Sequence, residues 1–371
     1  MNPLERLWED HGQAVWLDYI ERDLLTSGGL ARLVAEDGLR GVTSNPSIFK
    51  AAITGGDAYD EIITDLLGRR PQTTTGELYE ELVVEDIRMA ADVLRPVFDD
   101  SGGGDGFVSL EVSPHLARDT AGTVAEAKRL WQRVARPNLM IKVPATAEGL
   151  PAVEALLGSG VNVNVTLMFS LAHYESVAHA YLRGLERTAD PSRVASVASF
   201  FVSRVDTAVD GELEAVGGDA LALRGLAAAA NARLAYRRFL EIFDGDAFVA
   251  LARRGAKVQR PLWASTSTKN PAYSDVKYVE ELIASRTVNT LPPATMDAFR
   301  DHGRLRDGLE EGMATADGVL AGLEERGIDV GAITERLQGE GVAAFASAFD
   351  DLLTALERSR AERSAAPPVE A

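Results

Sequence analysis

The strongest constraint on this chain is an alternation. Eight short, apolar, β-rich runs recur at 15–20, 41–45, 107–112, 139–143, 161–169, 194–202, 261–266 and 287–291. Segments of helical periodicity separate them. Neighbouring parallel strands need crossover connections, and a helix is the usual one. Eight such units are the number that closes a (β/α)8 barrel. The expected fold class is therefore α/β, a single (β/α)8 TIM-type barrel with additional C-terminal helices. The barrel, with an N-terminal helix, is assigned to 1–304. The strandless stretch 305–363 is assigned to a helical extension packed on it, and the small, Pro-rich end 364–371 to a flexible tail. Thr74 with Glu77, and Thr123 with Glu126, have the spacing of capping boxes that open helices. Long amphipathic helices are expected over 78–98 and 221–243. A doubly wound open sheet is the competing architecture. It calls for a Gly-rich turn after its first strand, whereas the glycines at 102–106 precede a strand. They read as a flexible loop.

Composition narrows the function. Of 371 residues, 38 are Lys or Arg and 56 Asp or Glu, a formal charge of −18. Such a charge argues against nucleic-acid and anionic-membrane partners, yet a local cluster of cations could still hold a phosphorylated substrate. The absence of cysteine removes disulfides, thiolate nucleophiles, zinc ribbons and iron–sulfur clusters. The histidines, His11, His115, His173, His179 and His302, are not spaced as metal ligands, and His173 and His179 read as ordinary helix residues. Trp131 and Phe243, at helical spacing, read as core. No metal site is expected from the histidine spacings. Neither a signal peptide nor a membrane span is expected, and the expected location is cytoplasmic.

Strand side chains alternate faces, so parity shows what a barrel turns inward. In 161–167, Asn162, Asn164 and Thr166 share one face and Val161, Val163, Val165 and Leu167 the other. Lys142 lies in an otherwise apolar run, on the face of Met140. Ser265, Ser267 and Lys269 share a parity. Asp18, Glu111 and Asn45 lie toward the ends of their own runs, and Arg204 follows the run 194–202. Barrel active sites assemble at the C-terminal ends of the strands. Asp18, Asn45, Glu111, Lys142, Asn164 and Thr166 would thus meet in one cavity. Plainer readings exist for each. Lys142 and Glu111 could be a buried ion pair, Asp18 and Asn45 turn residues, the asparagine row a polar ladder, and Arg204 a loop residue.

Five segments in order along the chain, GVTSNPSIF at 41–49, IKVPAT at 141–146, NVNVTLMFS at 162–170, SFFVSR at 199–204 and WASTSTKN at 263–270, resemble the signatures of the transaldolase family, in particular its longer bacterial branch. The resemblance implies a barrel class I aldolase of the non-oxidative pentose phosphate pathway that needs no metal and no organic cofactor. Such an enzyme moves a dihydroxyacetone unit from a ketose phosphate, sedoheptulose 7-phosphate or fructose 6-phosphate, to an aldose phosphate, glyceraldehyde 3-phosphate or erythrose 4-phosphate. It implies Lys142 as the Schiff-base lysine, Asp18 as the acid/base, and Glu111 as a carboxylate working through a water held with Thr166. Asn45 and Asn164 would hold the dihydroxyacetone hydroxyls. Arg204, Lys269 and Ser265 or Ser267 would face the phosphate. Ser199 and Phe201 share a strand face and should look into the site. Shorter members have Arg where Lys269 stands, a fork in place of a point charge. A related smaller group releases dihydroxyacetone to water and carries tyrosine at the position of Phe201 and glutamine at that of Glu111. Sugar phosphates are the implied partners, and the chain is expected as a monomer or homodimer.

The chemistry agrees with this division of labour. Breaking a carbon–carbon bond beside a hydroxyl leaves an electron pair that needs a sink, and a lysine imine is one. A free lysine is neutral in only about one molecule in 2,500 at pH 7, so the site must desolvate it. A glycosidase would use Asp18 and Glu111 alone and leave Lys142, Lys269 and Arg204 without a task. A non-catalytic sugar-phosphate-binding barrel is the other alternative.

Overall fold

The computed structural model describes residues 2–365. Eight parallel strands close into a barrel in sequence order: β1 (Gln13–Asp18), β2 (Gly41–Thr43), β3 (Phe107–Glu111), β4 (Leu139–Pro144), β5 (Val163–Met168), β6 (Ser196–Phe201), β7 (Arg260–Ala264) and β8 (Thr287–Leu291). Helices fill the crossovers. No helix among the described residues is long and apolar enough to cross a membrane.

Several strands stop earlier than the apolar runs, for local reasons. Asn45 leaves β2 to cap the helix Pro46–Thr54, its Oδ1 accepting the Ile48 amide at 3.0 Å. β7 ends at Ala264 because Ser265 turns into left-handed backbone, φ +56°. The alternation read through Ser265, Ser267 and Lys269 therefore does not apply, since none of them is in a strand. Asn162 precedes β5. Its amide donates to the carbonyls of Pro137 and Leu139, and its Oδ1 accepts the Ala195 amide, so it ties neighbouring strand starts together.

The capping box at Thr74 is present and opens the helix Thr75–Asp100. The one expected at Thr123 is absent. That helix, Thr120–Val134, starts four residues earlier, on Asp119, whose side chain accepts the Gly122 amide. The Thr123 hydroxyl donates to Leu116 O and Glu126 accepts the Ser113 amide, so both side chains hold the preceding turn instead. The helix expected from 221 begins at Ala227, because Gly225 at φ +70° breaks the chain after the short 3-10 turn Gly218–Leu223. Phe243 is buried, whereas Trp131 is only half-buried.

The barrel's N-terminal mouth is closed by a carboxylate. Trp16 is fully buried, and a side chain at Gly41 would stand 2.4 Å from its ring, so only glycine fits there. Trp16 Nε1 donates to Asp105 at 2.9 Å, and Asp105 also accepts from Arg40 and Arg260. The glycines at 102–106 form a loop, as expected, and Asp105 pins it under the barrel.

The C-terminal mouth is covered by the chain's own end. The terminal helix Val330–Ala365 is 36 residues long and lies over the loops at the strand ends. Gln338 Nε2 donates to the carbonyls of Ala145 and Leu167, at 3.1 and 3.0 Å. Gly341 lies against Leu167, where a Cβ would come within 2.8 Å of its methyl. Hydrogen bonds His173–Glu335 and His115–Asp350 and the ion pair Lys50–Asp351 fasten its flanks. Of the tail expected at 364–371, the first two residues continue this helix and the rest lie outside the described residues.

Candidate active site

The parallel register fixes the centre of the site. Glu111 on β3 is paired with Lys142 on β4, and Lys142 with Asn164 on β5, so three polar residues meet across adjacent strands. Lys142 is 4% exposed. Its Nζ donates to the carbonyl of Ser44 at 3.1 Å, and stands 3.7 Å from Glu111 Oε2. Ser44 is held in turn by its hydroxyl on Ser109 O. A primary amine is thus fixed deep in an apolar barrel with one of its donors committed and a carboxylate beside it.

Asp18 ends β1, and its Oδ1 accepts from Thr43 Oγ1 at 2.7 Å; Thr43 also meets the Thr290 hydroxyl at 2.8 Å. Burial pushes the Asp18 carboxyl above its ordinary range, and Lys142 and the Thr43 hydrogen bond oppose the shift. Burial likewise pushes Glu111 up to about 7, again opposed by Lys142. Two carboxylates with raised affinity for protons therefore flank one lysine, which is the disposition acid–base work requires.

The mouth cavity, of about 190 Å³, is lined by Asp18, Asn45, Lys142, Thr166, Ser199, Phe201, Arg204, Ser265, Ser267 and Lys269. Ten of the twelve residues expected from sequence meet there. The other two lie behind it. Asn164 uses both ends of its amide, donating one N–H to Ser109 Oγ at 3.0 Å and accepting from Ser199 Oγ at 2.6 Å, so it orients Ser199 beside the cavity. Glu111 stands behind Lys142 and faces a neighbouring cavity of about 530 Å³ between the helices Thr75–Asp100 and Thr120–Val134. Glu111 Oε2 and Thr166 Oγ1 are both buried without a hydrogen-bond partner. The backbone beside Thr166 is irregular. β5 shifts register between Val165 and Met168, and Leu167 is left-handed at φ +60°, a costly conformation for a branched residue. Gln338 of the terminal helix takes up the carbonyl that this turn exposes.

At the cavity's outer end stand cations and hydroxyls. Arg204 opens the helix Ser203–Val216 and lies over the Phe201 ring, 5.5 Å from its centre. Ser265 Oγ meets Ser203 Oγ at 3.1 Å, and Lys269 Nζ donates to Ser267 Oγ at 2.6 Å. Phe201 packs on Phe169, ring centres 5.0 Å apart. Two cations in a chain of net charge −18 make a local anion site.

Sequence reasoning missed Thr43, Ser47, Thr290, Pro292 and Phe345, which also line the cavity. Thr290 had a usable signal, a hydroxyl near the end of a strand. Phe345 had none, because it comes from the helical extension.

Comparison with known proteins gives a consistent result. A family model described as transaldolase/fructose-6-phosphate aldolase matches residues 15–356. A protein named transaldolase from Thiobacillus denitrificans is 51% identical over 347 residues, covering 92% of this chain and 96% of that protein. Transaldolase 1 of Streptomyces coelicolor is 51% identical over 362 residues, covering 96% and 94%. A protein named transaldolase from Thermobifida fusca is 51% identical over 358 residues, covering 95% and 96%.

Proposed function

The chain belongs to the transaldolase/fructose-6-phosphate aldolase family, and from that premise we propose how its own residues carry the reaction. The protein is a transaldolase. It moves a dihydroxyacetone unit from a ketose phosphate to an aldose phosphate through a lysine Schiff base. The observation that carries the assignment is the buried Lys142 amine between Asp18 and Glu111 at the C-terminal mouth.

Lys142, neutral, adds to the ketose carbonyl. The resulting carbinolamine loses water with a proton from Glu111, relayed by a water that Glu111 and Thr166 share; the two orphaned oxygens support that relay. As the C3–C4 bond breaks, the C4 hydroxyl proton goes to Asp18 and the electron pair flows into the imine, leaving an enamine on Lys142. The aldose product departs and an acceptor aldehyde takes its place. The enamine carbon attacks it, Asp18 returns the proton to the new alkoxide, and water frees the lysine. Asn45 and Ser199, the latter set by Asn164, hold the fragment's hydroxyls. Arg204, Lys269, Ser265 and Ser267 hold the phosphate. Phe201 presents a ring with no hydroxyl to the fragment, which favours transfer over release.

Borohydride reduction in the presence of fructose 6-phosphate tests this. The peptide containing Lys142 gains the mass of a reduced dihydroxyacetone or ketose adduct, and Lys142→Ala loses both that mass and turnover. Labelling of another lysine at full extent in the variant would overturn the assignment.

A further inference from the structure

The roof over Lys142 is not part of the barrel. Phe345, from the middle of the terminal helix, is 5% exposed and lines the mouth cavity, with its ring centre 5.8 Å from Lys142 Nζ. Phe345 is also part of the hydrophobic core, but other contacts fasten this stretch of the helix as well. Gln338 is bonded to two strand-end carbonyls, Gly341 is pressed on Leu167, and polar side-chain contacts hold the flanks. Phe345, one turn beyond Gly341, instead faces the cavity where the reacting carbon sits.

We propose that Phe345 is a specificity-determining residue of the reaction, whose ring seals the cavity above Lys142 and keeps water from the lysine-bound enamine until an aldehyde arrives. The inference rests on the transaldolase reading of this site. Two fates compete for the enamine. In transfer, its carbon forms a bond to the acceptor carbonyl, and the carbonyl oxygen takes the proton held by Asp18. In release, the same carbon takes a proton from water, and the imine is then hydrolysed, consuming one water in all and giving dihydroxyacetone and free lysine. Both fates end with water hydrolysing the imine, but only release needs water at the enamine carbon itself, to protonate it. An apolar ring has no proton to give, and it fills the space through which water would enter. Its face toward Nζ also suits the cationic imine that precedes and follows the enamine.

The test measures free dihydroxyacetone against transferred product with fructose 6-phosphate and erythrose 4-phosphate, alongside borohydride labelling. Phe345→Ala should raise the released fraction about tenfold, while the extent of lysine labelling stays within about twofold. Phe345→Tyr keeps nearly the native volume, and so the fold, but puts a hydroxyl in the seal; it should also raise release. Phe345→Leu restores an apolar cover and should return the partition to within about twofold of the unchanged protein. A residue that merely supported the helix would lower turnover and leave the partition alone. If both Phe345→Ala and Phe345→Tyr keep the native partition with normal labelling, the inference about Phe345 is overturned and the Schiff-base reading stands. If the unchanged protein acquires no label, the reading of the site fails, and this inference with it.

Discussion

At the residue scale, the site separates two carboxylates by what surrounds them. Asp18 sits in the cavity with a hydroxyl donor, and Glu111 stands behind the lysine with an unpartnered oxygen. Their tasks should separate in the same way. Asp18→Asn keeps the hydrogen bond to Thr43 in reach but cannot accept the C4 proton. It should lower kcat by about 10²–10⁴ while still forming a borohydride-trappable adduct, read by mass spectrometry of the intact protein. Loss of less than tenfold would remove Asp18 from the proton path. Glu111, pushed up to about 7 by burial, is mostly protonated below that pH and mostly carboxylate above it. In the proposed relay, the proton for the departing hydroxyl is therefore available on the acid side. The rate of imine formation, measured by rapid trapping, should fall as pH rises through about 7. Glu111→Gln, which cannot titrate, should be slower by about 10² or more and lack that falling limb. A falling limb preserved in Glu111→Gln would assign it to another group.

At the scale of elements, the two parts of the proposed phosphate end are built as one. Arg204 opens the helix Ser203–Val216, and two aspartates further along that helix grip the segment after β7, which carries Ser267 and Lys269. Asp210 accepts the Tyr273 hydroxyl at 2.6 Å and the Gly225 amide, and Asp206 accepts the Tyr278 hydroxyl at 2.8 Å and the Ala228 amide. Gly225 must be glycine, since it is left-handed and a Cβ there would lie 2.8 Å from the Tyr273 ring. Removing one hydroxyl from this clamp should loosen the phosphate grip without touching the lysine chemistry. Tyr273→Phe should raise KM for fructose 6-phosphate by about 3–10-fold, the scale of one hydrogen bond, and leave kcat within about twofold. A steady-state comparison that finds kcat falling instead would mean that the clamp acts on the reacting centre.

At the scale of the whole molecule, the barrel has a chemical end and a structural end. The C-terminal mouth gathers lysine, carboxylates and cations under the terminal helix. The N-terminal mouth holds Asp105 between Arg40, Arg260 and Trp16, with Asp105 almost completely buried. Stability is built at that end of a barrel and chemistry at the other. Asp105→Asn would leave two arginines without their shared carboxylate. It should cost about 3 kcal/mol, seen as a lower denaturant midpoint, with kcat of the folded protein unchanged. A loss of kcat with no loss of stability would contradict the division between the two ends.

What was legible in the sequence follows from periodicity and chemistry. Eight apolar runs joined by helical segments give a parallel barrel, because the crossover requirement leaves few alternatives. A period of two turned Lys142, Asn164 and Thr166 to one side before any contact was known, and a lysine in an apolar strand is costly enough to stand out. Those signals are local, and they stop where local order stops. Ser265 breaks the alternation by turning left-handed, so the parity that grouped it with Ser267 and Lys269 had no physical basis, although all three do reach the cavity. Thr123 and Glu126 match a capping pattern, yet contacts to the 113–116 turn claim both side chains. Asn164 shares its face with Thr166 but spends its amide on Ser109 and Ser199, and only packing could show that. Phe345 is separated from Lys142 by two hundred residues of chain, roughly, and reaches it because one long helix lies across the strand ends. No periodicity connects a helix to the mouth it covers. The sequence therefore determined the barrel and most of the residues at its rim, and tertiary packing decided which of them line the mouth cavity, which stand behind it and what closes over them.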